Sequence, residues 1–252
     1  MYKARERYDQ LASDRSEFLD MSVRCSELTL PYLIHDDNLY KQSRKSLNKP
    51  FQSTGAKCCT TLAAKLMLAL LPVQTTFFKL QVKSDKIGEE IDAKIKSELD
   101  LSFSKIERTI MDFIAASNDR VVLHQALKHL IVGGNSLIFM GREGLKNYPL
   151  NRYVVNRDGN GKVLEIVTKE LISRKLIEDK LPPKKTNTGI DESKNRNDDV
   201  EVYTCVKYEK DGKLYRWHQE CEDVILNGSQ SMAPEDANPW LVLTFNHTDG
   251  EA

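Results

Sequence analysis

The hydrophobic pattern of the chain changes its period near residue 135, and this change constrains the fold most strongly. Between Ile87 and Ser117 large apolar residues recur every three or four positions, the spacing of one face of an α-helix. Beyond Asn135 the apolar runs become short, are rich in β-branched and aromatic residues, and are separated by turn residues, which indicates strands. The sequence therefore predicts an α+β fold, with a helical half followed by a small antiparallel β-rich half.

The helical half extends over residues 1–135. Its first predicted helix is amphipathic and ends before Pro31. The apolar stripe of this helix comprises Leu11, Phe18, Met21, Cys25 and Leu28. Further helices are predicted over Thr54–Leu71, Ile87–Ser117 and Arg120–Val132, and a short extended piece over Phe77–Lys83.

The β-rich half extends over residues 136–252. Its strands are predicted at 136–140, 152–156, 162–168, 201–208, 214–218 and 240–245. The run Asp158-Gly159-Asn160-Gly161 separates two of them and predicts a hairpin turn. Residues 178–199 are almost all charged or polar, which predicts a solvated loop.

The composition limits what the chain can bind. The 252 residues contain 37 Lys and Arg and 37 Asp and Glu, so a bulk positive charge that would hold nucleic acid is absent from the sequence. The cysteines number five, an odd count, and form no C-x-x-C pair, which disfavours a disulfide framework or a zinc ribbon. The longest apolar run, Leu62–Leu71, is too short for a membrane span of about 20 residues, so no membrane contact is expected.

No motif in the sequence predicts a catalytic residue, a metal site or a cofactor. His124 and His129 are five residues apart, which places the two imidazoles about 140° apart around a helix axis, so a structural or surface role is favoured over a zinc pair. His218, Cys221 and Cys205 are the one cluster of soft ligands that merits testing, but their spacing gives no closed set of four.

A set of collinear segments carries a resemblance to a known family. They are Thr29–Leu33; Gln52–Lys57 leading into Leu62–Pro72 and Phe77–Leu80; Ala126–Lys128 continuing to Val132–Phe139; and Tyr153–Asp158 leading into Gly161–Val167. In this order and spacing they resemble the N-terminal half of the portal proteins, or head-to-tail connectors, of short-tailed, podovirus-type bacteriophages. Cys58-Cys59-Thr60-Thr61 and Gly133 depart from the family pattern.

The resemblance implies a structural virion protein without enzymatic activity. Family members form a dodecameric ring at one capsid vertex, nucleate head assembly, and conduct double-stranded DNA, without sequence-specific binding, during packaging and ejection. The implied partners are copies of the same chain, capsid and scaffolding proteins, the terminase motor and tail adaptors. Such a protein is made in the host cytoplasm and resides in the virion. The segment corresponds to the wing region, so stem, clip and crown are expected to be absent and the chain to be a fragment.

Ring closure in such a family depends on contacts between identical subunits. The candidates for subunit contact or packing are Lys65, Met67, Leu68, Leu71, Phe77 and Phe78. The exposed sides of the helices predicted over 54–71 and 87–117 are the wider candidates. One alternative is a soluble α+β adaptor that docks a single protein partner without forming a ring. The other is an enzyme whose site contains His218, Cys221 and Cys205.

Overall fold

A computed structural model describes residues 3–34, 50–72, 75–81, 93–181 and 199–245 of the chain. Its helices are α1 (Ala4–Asp14), α2 (Ser16–Leu28), α3 (Thr54–Leu70), α4 (Ala93–Ala116), α5 (Asp119–Gly133) and the short α6 (Arg174–Ile177). Its strands are β1 (Asn135–Gly141), β2 (Gly144–Tyr148), β3 (Tyr153–Arg157), β4 (Val163–Ser173), β5 (Asp199–Glu209), β6 (Leu214–Cys221), β7 (Val224–Ile225), β8 (Ser231–Pro234) and β9 (Trp240–Thr244). The predicted α+β class is confirmed.

Helix α5 organises the helical layer, because α2, α3 and α4 all pack against it. It ends where the sequence predicts, at a glycine in the left-handed conformation: Gly134 has φ 75° and its N–H bonds to the carbonyl of Leu130 at 3.0 Å. The preceding Gly133 allows close packing, since a Cβ there would lie 3.1 Å from the Cδ1 of Ile34. The same helix packs on β1 and β2 and so joins the helical layer to the sheets.

The strands form two antiparallel sheets. The small sheet has the order β2-β1-β9, and the large sheet has the order β3-β4-β5-β6-β7, with β8 also paired to β6. The predicted hairpin between β3 and β4 is confirmed. Its turn is held by Asp158, whose Oδ1 accepts the N–H groups of Asn160 at 3.0 Å and Lys162 at 2.7 Å, and by Gly161 with φ 80°.

The two faces of the large sheet serve different parts of the core. One face packs on the small sheet, and the main core cluster there includes Leu137, Tyr148, Val155, Ile166 and Trp240. The opposite face is covered by α1, through Ala4, Tyr8, Leu11, Val154, Val167, Tyr203 and Cys205. A third cluster, at the end of the sheet beside α6, comprises Ile177, Val202, Cys221 and Leu226. Helix α1 thus packs on the β-rich half, and the division at residue 135 stays a prediction.

The prediction of the first helix is wrong in two respects: the helix is interrupted at Arg15, and its apolar stripe does not form one core face. Leu11 is buried, but Met21 is 66% exposed and Leu28 is 72% exposed. The buried positions of α2 are instead the serines Ser22 and Ser26. Ser26 Oγ donates to the carbonyl of Leu30 at 2.8 Å and accepts the N–H of Ile34 at 3.3 Å, which stabilises the turn after the helix.

The structure describes only the two ends of the predicted solvated loop over 178–199, and the loop itself stays a prediction. Residues Glu178–Lys180 form a 3₁₀ turn, and the N–H of Leu181 bonds to the carbonyl of Ile177 at 3.1 Å. Asp199 already pairs with Ser173 in the ladder between β4 and β5. The polar sequence at Asp199 does not predict a strand, because an exposed strand end needs no apolar residue. Residues 182–198, and residues 82–92 of the predicted extended piece and long helix, lie outside the described residues.

Candidate contact surfaces

The three soft ligands singled out in the sequence do not converge. Cys205 and His218 are cross-strand neighbours, but Cys221 is three residues beyond His218 and points to the opposite face of the sheet, into the third core cluster. Burial raises the pKa of the Cys205 thiol to about 12, so this thiol is protonated at neutral pH. Within the described ranges no group of three or more His, Cys, Asp or Glu side chains is arranged to hold a metal ion.

A cleft of about 330 Å³ beside the start of α1 is acidic, but its carboxylates already have partners. Glu201 bonds to Lys169 and to the hydroxyl of Tyr203. Glu220 accepts the N–H of Ala4 at 2.8 Å and lies 2.8 Å from His218 Nε2. These ion pairs and hydrogen bonds tie the start of α1 to the sheet, so the cleft is part of the packing of that helix.

One further ion pair holds α1 on the sheet, and its carboxylate is also paired within the sheet. Arg7 Nε lies 2.7 Å from Glu165 Oε2, and Lys207 lies 3.4 Å from the other oxygen of the same carboxylate. Glu165 itself is buried, so the pair with Arg7 is shielded from solvent. The face of the large sheet beneath α1 is therefore closed to other partners.

The two histidines of α5 are separated, as their spacing predicts. His129 is buried, its Nδ1 has no hydrogen-bond partner, and burial lowers the pKa of its imidazole to about 4. His124 is half-buried, and burial lowers the pKa of its imidazole as well. Both serve the packing of α5, with His129 in the more enclosed position.

Because burial lowers the pKa of His129, we expect the folded chain to lose stability as the pH falls. An unfolded histidine titrates near 6.5, whereas the folded imidazole titrates near 4, so only the unfolded state gains a proton as pH falls through this window. Between pH 7 and pH 5 we expect a loss of about 2 kcal/mol in the free energy of unfolding from this residue. Urea titrations of the wild type and of His129→Leu at both pH values measure it. An equal loss in both proteins would contradict the prediction.

The predicted contact candidates are spread over exposed and buried positions. Leu68 is 64% exposed, Lys65 is exposed, and Phe77 is 41% exposed. Leu71 and Phe78 are half-buried, and the rings of Phe77 and Phe78 contact each other at 5.1 Å between centroids. Met67 is buried, as is Ala63 one turn before it. Although α3 is the most apolar helix described, Ala63 and Met67 are its only buried residues, so most of its apolar surface faces outward.

Helices α2 and α4 also expose large apolar side chains in rows. The row on α4 consists of Ile95, Ile106, Ile110 and Phe113, and the row on α2 consists of Met21, Cys25 and Leu28. Periodicity identified both rows as apolar stripes, but it could not show that they remain outside the core of the subunit. In the part of the chain that the structure describes, no helix is long and apolar enough to cross a lipid bilayer.

The fold and these surfaces define a class of protein: an α+β chain in which three of the described helices present apolar surfaces outward, a feature typical of chains that assemble with other chains. Comparison with protein families gives the particular family. A family model described as "Bacteriophage head to tail connecting protein" matches residues 2–252. The chain belongs to this bacteriophage head-to-tail connecting protein family.

Relatives with curated names support the same family. The chain is 33% identical to the portal protein of Enterobacteria phage T3 and 31% identical to that of Escherichia phage T7, over 99% of the chain in both cases. It is 29% identical to the portal protein of Enterobacteria phage SP6 over 97% of the chain. In each case the aligned part is 47% of the relative, so the chain spans about half the length of these portal proteins.

Proposed function

We propose that the chain is a subunit of a phage portal, the ring at one capsid vertex through which DNA enters and leaves the head. The observation that carries the proposal is the match to portal proteins along nearly the whole chain. The ring nucleates head assembly and contacts capsid and scaffolding proteins, the terminase motor and tail adaptors. It is made in the host cytoplasm and resides in the virion. Following the family, the expected ring contains twelve subunits.

The mechanism of such a subunit is geometric. A closed ring forms when one surface of each copy binds a different surface of the next copy. Among the candidates, the exposed residues Lys65, Leu68 and Phe77 are proposed to contact a neighbour, and Leu71 and Phe78 to border that contact. Met67 supports it by holding α3 in place from the inside. This role requires no catalytic residue and no cofactor.

The charge balance is compatible with the passage of DNA. The chain has equal numbers of acidic and basic residues, so a ring of such subunits carries little net charge from this segment. A dense array of cations would hold the phosphates and oppose sliding. Double-stranded DNA is therefore proposed to pass through the ring without sequence-specific contacts. The second candidate function, a monomeric adaptor that docks one protein, uses the same exposed apolar surfaces without ring closure.

Negative-stain electron microscopy of the purified chain distinguishes the two functions. We expect ring-shaped particles with a central opening for the wild type, and at least tenfold fewer rings for Leu68→Glu, because a carboxylate would be placed in the contact. Met232 on β8 is a matched control, since it is 65% exposed whereas Leu68 is 64% exposed. Met232→Glu should retain the rings. Uniform small particles for the wild type would favour the adaptor.

A further inference from the structure

Helix α1 is attached to the large sheet mostly by charged and polar groups. Lys3 Nζ lies 2.8 Å from Asp223 Oδ2, and both side chains are about half exposed, so this pair contributes at most about 1 kcal/mol. Arg7 Nε lies 2.7 Å from Glu165 Oε2 in a more enclosed position. The N–H of Ala4 donates to a third carboxylate of the sheet. When α1 leaves the sheet, the separated charges regain water, which offsets much of the lost attraction.

The carboxylates that receive α1 keep partners within the sheet when the helix leaves. Glu165 is also paired with Lys207, whose Nζ lies 3.4 Å from its other oxygen. Glu220 accepts the N–H at the start of α1 through Oε2, while its Oε1 lies 2.8 Å from His218 Nε2. The sheet therefore leaves neither of these two carboxylates buried and unpaired in the absence of α1, and this lowers the cost of detaching the helix.

The apolar part of the attachment is small. The buried residues of the eleven-residue helix α1 are Ala4, Tyr8 and Leu11. The Tyr8 ring contacts that of Tyr203 edge to face, with 5.7 Å between centroids, and its hydroxyl donates to a backbone carbonyl at 2.8 Å. Because burial of apolar surface is the main stabilising contribution in a fold, a helix with so few buried apolar residues detaches at lower cost than the whole chain unfolds.

Arg15 separates α1 from the rest of the fold. Its backbone, with φ −109° and ψ 18°, interrupts the helix between α1 and α2. Its guanidinium bonds to the carbonyls of Leu150 and Tyr153, and its own carbonyl accepts the N–H of Leu19 at 3.1 Å in the first turn of α2. These contacts hold the start of α2 on the core without using α1. Rotation at this residue moves α1 and leaves α2 in place.

The face beneath α1 contains a buried thiol that reports on such a movement. Cys205 is 3% exposed and lies in the core cluster that α1 covers, together with Val154, Val167 and Tyr203. Its Sγ lies 3.8 Å from Oε1 of Glu165. A reagent reaches this thiol only when α1 has left the sheet or when the chain has unfolded.

We propose that α1 is a strap that opens as a unit about Arg15 while α2 and the two sheets remain folded. In the closed state the strap covers the apolar face around Cys205. In the open state it exposes that face, bordered by the carboxylates of Glu165 and Glu220. The strap thus controls access to a surface that the closed state withholds from partners. This inference concerns the single subunit, so it stands or falls independently of the proposed ring.

Alkylation of Cys205 by iodoacetamide, followed by mass mapping of its peptide, measures the opening. The labelling rate in the native chain divided by the rate in the urea-unfolded chain gives an opening constant. We expect this constant to exceed the unfolding constant from a urea titration by at least tenfold. Low concentrations of urea should hardly change the labelling rate, because detachment of one short helix exposes little surface. An opening constant equal to the unfolding constant would overturn the proposal.

A pair of variants on α1 shows whether this helix is the element that moves. Leu11→Ala removes one of the few apolar contacts of the strap and should raise the opening constant for Cys205 at least tenfold. Glu6→Ala is the control, since Glu6 is exposed on the same helix, and its constant should stay within twofold of the wild-type value.

The buried thiol of Cys221 serves as an internal reference, because it lies in the third core cluster, which does not contain α1 residues. Its labelling rate should not respond to Leu11→Ala beyond the change in global stability. Fast labelling of Cys205 that Leu11→Ala does not accelerate would mean that another element opens, and the assignment to α1 would be wrong. The wild-type comparison decides the proposal by itself if Leu11→Ala does not fold.

Discussion

Replacing Trp240 by alanine should lower the free energy of unfolding by about 4 kcal/mol, as is usual for deletion of a buried tryptophan side chain. Trp240 is 4% exposed and joins the small sheet to the large one. Its ring lies 4.4 Å from that of Phe139 and 6.4 Å from that of Trp217, measured between centroids. The indole Nε1 has no hydrogen-bond partner, so the loss comes from packing alone. Urea-induced unfolding followed by circular dichroism measures it.

The adjacent residue provides the control for this change. Leu241 is 39% exposed, and because neighbours on a strand point to opposite faces, it lies outside the contact between the sheets. Leu241→Ala should cost about 1 kcal/mol or less. Equal losses for the two variants would mean that the tryptophan does not hold the sheets together.

Replacing Arg15 by alanine should lower the free energy of unfolding by about 3 kcal/mol. The guanidinium is buried, and its Nη2 donates to the carbonyl of Leu150 at 2.7 Å and to the carbonyl of Tyr153. It also stacks over the ring of Tyr153 at 5.5 Å. Without the guanidinium, the buried carbonyl oxygens lose their charged donor and the interruption between α1 and α2 loses its anchor. Burial lowers the pKa of Arg15, which reflects the cost of enclosing its charge.

Arg24 serves as the control for Arg15, because it is an exposed arginine on the same helix pair. Arg24→Ala should leave the free energy of unfolding within about 0.5 kcal/mol of the wild-type value. Denaturant titration at neutral pH compares the three proteins. An unfolding midpoint for Arg15→Ala equal to that of the wild type would contradict the prediction. It would mean that the free-energy cost of burying the guanidinium equals the stabilisation from its hydrogen bonds.

The elements that were predicted correctly are those that depend on residues close together in the sequence. The β3–β4 turn depends on Asp158, whose side chain bonds to the backbone of the turn, and on Gly161, which adopts a positive φ. Helix α5 ends at Gly134 because glycine adopts the left-handed conformation without strain. Helix α4 was predicted from its apolar spacing. The short strands β2, β7 and β8 were missed, because edge strands of two to five residues carry little pattern.

The side of a helix that is buried was harder to predict, because it depends on distant partners. Nothing in the sequence around Arg15 indicated that carbonyls 135 and 138 residues away would hold its guanidinium and interrupt the helix there. The stripe containing Met21 and Leu28 was recognised as apolar, but its exposure follows from the burial of Ser22 and Ser26 instead. The candidates on α3 come from an apolar run interrupted only by Lys65, so its periodicity does not indicate that Met67 is buried and Leu68 exposed.

Native mass spectrometry of the purified chain tests the central proposal most directly. If the chain is a portal subunit, the spectrum should be dominated by one closed multimer, expected to contain twelve copies of the 28.8 kDa chain, with few intermediates. A closed ring satisfies every contact, whereas an open chain of subunits leaves two apolar surfaces exposed. A spectrum that contains only the 28.8 kDa monomer across the accessible concentrations would contradict the proposal.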